Sequence, residues 1–196
     1  MSEDLHNSLG RLIWSGEHWL NYLRPPGTES DSGMVSLYHS QYSSGGQGTV
    51  AFVDIAGDPG FTGVCTDNRE FAEFIAETMI RGRGNAFDRE LPILDAEFTR
   101  GGDTWSAPSW TIQAGSDCIV ATWEQIQPPL VGPPVLNPSI VFTVLCFTDG
   151  GRISLNGEPV IGSPYPREIW RASLGEAHSS CVFALAETMI QPPASP

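Results

Sequence analysis

Ile140-Val141-Phe142-Thr143-Val144-Leu145-Cys146-Phe147-Thr148-Asp149-Gly150-Gly151-Arg152-Ile153-Ser154-Leu155-Asn156-Gly157-Glu158-Pro159-Val160-Ile161 is the stretch on which the fold turns. Its apolar, β-branched and aromatic residues come in runs of strand length, separated by turn residues. Asn156-Gly157 is the strongest hairpin signal in the chain, because the central residues of that tight turn take positive φ, which asparagine and glycine tolerate. Asp149-Gly150-Gly151 reads as a second turn. The spacing predicts a meander over 139–161, with strands at 139–148, 152–155 and 158–161.

The same pattern extends outward. Strands are expected at 93–100, 109–114, 117–126 and 180–190, and upstream at 34–42 and 49–56, joined by the loop Ser43-Ser44-Gly45-Gly46-Gln47-Gly48. A short extended piece, 61–65, follows the turn Gly57-Asp58-Pro59-Gly60. One amphipathic helix interrupts them at 68–81. Asp67 is placed to cap it and Glu70 to reach back, Phe71, Phe74, Ile75 and Met79 share a face, and Gly82 and Gly84 end it. Residues 5–23 carry Leu5, Leu9, Leu12, Ile13, Leu20 and Leu23 at mostly helical spacing, and an N-terminal helix is expected there, although 12–19 also suits a strand.

This order gives an α+β fold with a mainly antiparallel sheet. So many strands do not stay flat, so the sheet is expected to curl strongly or close like a barrel, with the helix on its concave side or plugging an end. A single domain is expected over 1–190, with an N-terminal arm at 1–32, a proline-rich loop at 127–138 and a loose tail at 191–196. The pentapeptide Ala76-Glu77-Thr78-Met79-Ile80 recurs as Ala186-Glu187-Thr188-Met189-Ile190. One copy falls in a helical pattern and the other in a strand pattern, and their flanks do not correspond, so the match reads as coincidence.

The chain of 196 residues carries 23 acidic and 10 basic residues, and all of the basic ones are arginine. Without lysine there is no Schiff-base chemistry, no lysine general base and no phosphate-loop lysine. A formal charge of −13 opposes nucleic acid and anionic lipid as partners. Cys65, Cys118, Cys146 and Cys181 are isolated from one another and read as buried free thiols. Neither a signal sequence nor an apolar span of about 20 residues is visible, which makes the cytoplasm the expected location. No metal site and no cofactor are expected. Gly45-Gly46-Gln47 and Arg81-Gly82-Arg83-Gly84 read as loop and helix-end residues.

Strand phase supplies the candidate site. In 180–190, alternation places Cys181, Phe183, Leu185, Glu187 and Met189 on one face, and both faces are apolar. Glu187 then faces burial, which costs several kcal/mol for a carboxylate without a partner and is how sites tune a proton-transfer group. His39 shares a face with Val35 and Leu37 and is expected to point inward. His39 and Glu187 are therefore the candidate catalytic residues. Tyr38, Trp123, Phe183, His18 and Trp105 are the candidate ligand-binding residues, His18 for its position among Trp14, Trp19 and Tyr22, and Trp105 as part of a lid.

The expected function is the handling of a small apolar or aromatic molecule in an aromatic-lined pocket inside the curled sheet. If catalytic, it would be a cofactor-free acid/base lyase, hydratase or isomerase. The alternatives are a ligand-binding module without chemistry, and an interaction or scaffold domain working through its proline-rich stretch and acidic surface.

Overall fold

A computed structural model of the chain describes residues 10–132, 135–136 and 139–192. The strands are β1 (Arg11–Leu23), β2 (Gly33–Ser43), β3 (Gly48–Ile55) and β4 (Phe61–Thr66), followed by helix α1 (Arg69–Ile75) and a π-helical turn, Ala76–Ile80. Then come β5 (Ile93–Asp95), β6 (Glu97–Asp103), β7 (Ala107–Ala114), β8 (Asp117–Ile126), β9 (Leu130–Val131), β10 (Val135–Leu136), β11 (Ile140–Leu155) and β12 (Glu158–Pro159). The chain ends through β13 (Pro166–Arg167), a 3-10 turn at Glu168–Trp170, helix α2 (Arg171–Leu174), β14 (His178–Ser179) and β15 (Cys181–Gln191).

The main sheet runs β5-β4-β3-β2-β1-β15-β11-β8-β7-β6. All its pairs are antiparallel except β4 with β5, so the sheet is mixed. Its two edge strands, β5 and β6, are consecutive in the chain and separated by Ala96 alone. A single residue spans only about 3.5 Å, so the ends of the two edge strands lie close together and the sheet curls strongly, as a half-barrel.

Several expectations are corrected. The N-terminal arm is not a helix. Over 11–23 it is the central strand β1, hydrogen-bonded on both sides, between β2 and β15. The Leu12 to Leu23 spacing suits both periods, and burial between two neighbours selects the strand. The Leu5 and Leu9 part of that expectation lies outside the described residues. Asp149-Gly150-Gly151 is not a turn either, because β11 continues through it. Before it the strand pairs β15; beyond it the strand pairs β8. The glycines serve close approach here: a Cβ on Gly151 would lie 2.6 Å from Cys181 Sγ. The helix cap is Asn68 rather than Asp67, with its side chain accepting from the amides of Glu70 and Phe71. Asp67 instead accepts from the Thr49 amide at 2.7 Å. Within the proline-rich stretch, β9 and β10 add short ladders to β11. Gln191 belongs to β15, and the tail beyond Pro192 lies outside the described residues.

The curl separates two cores. The concave one is built on Trp19, Leu37, Trp110, Ile119, Trp123 and Phe183, with the Trp19 and Phe183 rings stacked at 4.5 Å. The outer face carries the second core. There α1 packs Phe71 and Ile75 over Val50 and Phe52 of β3, while Trp170 and Leu174 cover Phe147 and Val182. The helix thus lies outside the curl, not within it.

Candidate functional site

β1 and β15 place His18 and Glu187 side by side through an irregularity in their ladder. Gly16 pairs with Glu187, but His18 pairs with Ala184, so β15 spends one residue more than β1 over this interval. That is a β-bulge at Leu185–Ala186, and it reverses the alternation of the strand. Phe183 points into the concave core, whereas Glu187 and Met189 turn to the outer face. The face shared by Phe183 and Glu187, expected from strict alternation, is split by this extra residue.

Glu187 is only 5% exposed. Its Oε1 lies 3.5 Å from His18 Nδ1, outside hydrogen-bond geometry, and has no other partner within the protein. The His18 ring is stacked on Tyr38, with centroids 4.1 Å apart and planes within 16°. Its Nε2 is buried and also without a partner. Tyr38 is fully enclosed, and burial pushes its hydroxyl far above the usual phenol range, with the nearby Glu187 charge adding to the effect. Tyr38 therefore stands behind His18 as a neutral brace.

His18 and Glu187, but not Tyr38, border a cavity of about 210 Å³ on the outer face. Leu20, Val182 and Ala184 form its floor, and Leu145 and Val141 one side. Met79 from the π-helical turn and Trp170 and Leu174 from the 168–174 segment close it from above. Trp170 is fixed in the wall by its Nε1, which donates to the Ser179 carbonyl at 3.2 Å, and by an edge contact on Phe147. Thr143 adds a hydroxyl that is likewise buried and unpartnered. Of the six buried side-chain polar atoms without partners among the described residues, three belong to Glu187, His18 and Thr143, all on this one lining. Buried polar groups are normally satisfied, so their collection at an apolar cavity sets this lining apart.

The other sequence candidates fall elsewhere. His39 is on the concave side of β2, where its Nδ1 meets Thr49 Oγ1 at 3.0 Å and its ring lies 5.6 Å from Trp110. It is on the opposite face of the sheet from Glu187 and is not part of the cavity. Its cross-strand neighbour Glu17 is satisfied by Arg100 at 2.7 Å and by Trp19 Nε1 at 2.9 Å. Trp123 is fully buried in the concave core and donates to the Leu20 carbonyl at 2.7 Å. Phe183 borders the cavity floor while its ring packs on Trp19. Trp105 is 87% exposed in the β6–β7 hairpin and is not in the cavity lining. The concave core is filled by the three tryptophans and their neighbours, and beyond it a separate pocket is bordered by Glu17, His39, Gln41 and Leu185.

Sequence reasoning did not find Thr143, Met79 or Trp170 as wall residues. The phase of Thr143 gives no signal by itself, and the walls above the sheet come from segments whose packing is set only in three dimensions. Among the described residues no cluster of three potential metal ligands occurs, and no helix is long and apolar enough to cross a membrane. Comparison of the chain with protein-family models, with curated proteins and with solved structures finds no match.

Proposed function

We propose that the protein binds a compact, largely apolar organic molecule in the outer-face cavity, with the polar end of the guest held by His18 and Glu187. The observation that carries this reading is the Glu187 carboxylate, buried at an apolar cavity with no hydrogen-bond partner in the protein. Such a group costs several kcal/mol in folding and is retained where a ligand supplies the missing partner. The volume supports a guest of about one ring, since an apolar cavity of about 150 Å³ accommodates benzene.

Binding is tested with benzyl alcohol, read by NMR from the Met79 methyl group. Saturable shifts at Met79 that disappear in Leu174→Trp, which fills the cavity from above, are the expected result. An unresponsive Met79, or shifts unchanged in Leu174→Trp, would reject the reading.

A second reading, acid/base catalysis, has one specific observation in its favour. The carboxylate faces one imidazole nitrogen while the other is without a partner, the arrangement in which a histidine accepts or returns a proton with a carboxylate orienting it. On that reading His18, rather than His39, works with Glu187. A bound compound recovered unchanged after long incubation favours binding alone, and a product favours catalysis.

A further inference from the structure

The charges around the cavity narrow the guest further, and the inference rests on the binding reading above. Among the described residues no arginine borders the cavity, and His18 and Glu187 are the ionisable side chains of its lining; the chain has no lysine. We infer that the cavity takes a compact organic amine, protonated at neutral pH, whose ammonium meets Glu187 and Thr143 while its apolar body packs between Met79 and Trp170.

A carboxylic acid or phosphate ester would bring a second negative charge beside Glu187 with no guanidinium to receive it, and burying like charges together is strongly unfavourable. An unsubstituted hydrocarbon would fill the space and leave the carboxylate unpaired. An ammonium has three donors and no acceptor, and the unpartnered atoms on the lining are a carboxylate oxygen, a hydroxyl oxygen and the His18 Nε2 nitrogen. Charge-assisted hydrogen bonds of this kind are about twice as strong as neutral ones, and a desolvated wall strengthens them further. The formal charge of −13 raises the local concentration of any cation near the surface.

The test is calorimetric titration of the full chain at neutral pH and moderate salt with four probes of one size: benzylamine, benzyl alcohol, toluene and benzoate. The expected result is benzylamine binding at least about tenfold more tightly than benzyl alcohol, with benzoate not binding. Glu187→Gln is expected to erase the preference for benzylamine over benzyl alcohol, which separates the cavity carboxylate from general attraction by an acidic surface. Benzoate binding as well as benzylamine, or a preference that survives Glu187→Gln, would overturn the amine inference. Toluene and benzyl alcohol binding as tightly as benzylamine would overturn it too, yet leave the cavity reading standing. Binding of none of the four would end both.

Discussion

At the scale of the residue, what marks Glu187 is that it is buried and its Oε1 has no hydrogen-bond donor from the protein. Glu17 is equally part of β1–β2–β15, but it receives Arg100 and Trp19 and serves to close the end of the concave core. The burial of Glu187 was legible in the sequence from the apolar residues on both faces of 180–190. Its face was not, because a one-residue bulge is invisible to alternation. The thiols follow their surroundings just as closely. Cys65 and Cys181 are fully buried, and burial pushes both up to about 12. The thiolate is the reactive form, so neither should be alkylated by iodoacetamide at pH 8 in the native protein, and both should react once it is unfolded, as read by mass spectrometry. Trp105, 87% exposed, is expected to be dispensable: Trp105→Ala should change unfolding free energy by no more than about 0.5 kcal/mol and leave benzyl alcohol binding intact.

At the scale of the element, the pentapeptide shared by 76–80 and 186–190 is instructive. The first copy is a π-helical turn that sends Met79 to the cavity, and the second is a strand that sends Glu187 to it. Identical local sequence takes opposite structures because the partners differ, which is why propensity alone also misread β1. Strands with a clear period, a clean turn at each end and one buried face, such as β2, β3, β7 and β8, lie within a few residues of where the sequence places them. The bent β11 and the irregular β1–β15 pair do not announce themselves, since their irregularities answer to neighbours. Gly16 shows how tight that region is: a Cβ there would lie 2.2 Å from the His39 carbonyl oxygen and 2.9 Å from Ser40 Cα. Backbone cannot yield as a flexible side chain does, so Gly16→Ala is expected to cost at least about 3 kcal/mol in chemical denaturation. It should also weaken the cavity, because Gly16 sets the register that pairs with Glu187.

At the scale of the whole molecule, the strong curl of the sheet packs the three tryptophans on its concave side, while the outer face is covered by α1 and by the 168–174 segment. The buried weak acids give a pH dependence whose sign is fixed. Folded Cys65, Cys181 and Tyr22 hold their protons up to about 12, against ordinary values of 9.0 for a thiol and 10.0 for a phenol. With folded values raised above unfolded ones, the unfolded chain releases protons first. Stability from this source is complete below about pH 9 and declines as pH rises toward about 12. Melting temperature should fall across that window. The surplus of acidic residues adds self-repulsion, so raising ionic strength from about 0.01 M to about 0.15 M is expected to raise the melting temperature at neutral pH. The most direct measurement is the unfolding free energy of Glu187→Met. If the carboxylate is kept for a guest, an apolar side chain of similar volume leaves stability within about 1 kcal/mol of the wild type or increases it, while benzylamine binding is lost. A loss of about 3 kcal/mol or more would show that Glu187 holds the fold through His18, and would contradict its assignment to a ligand.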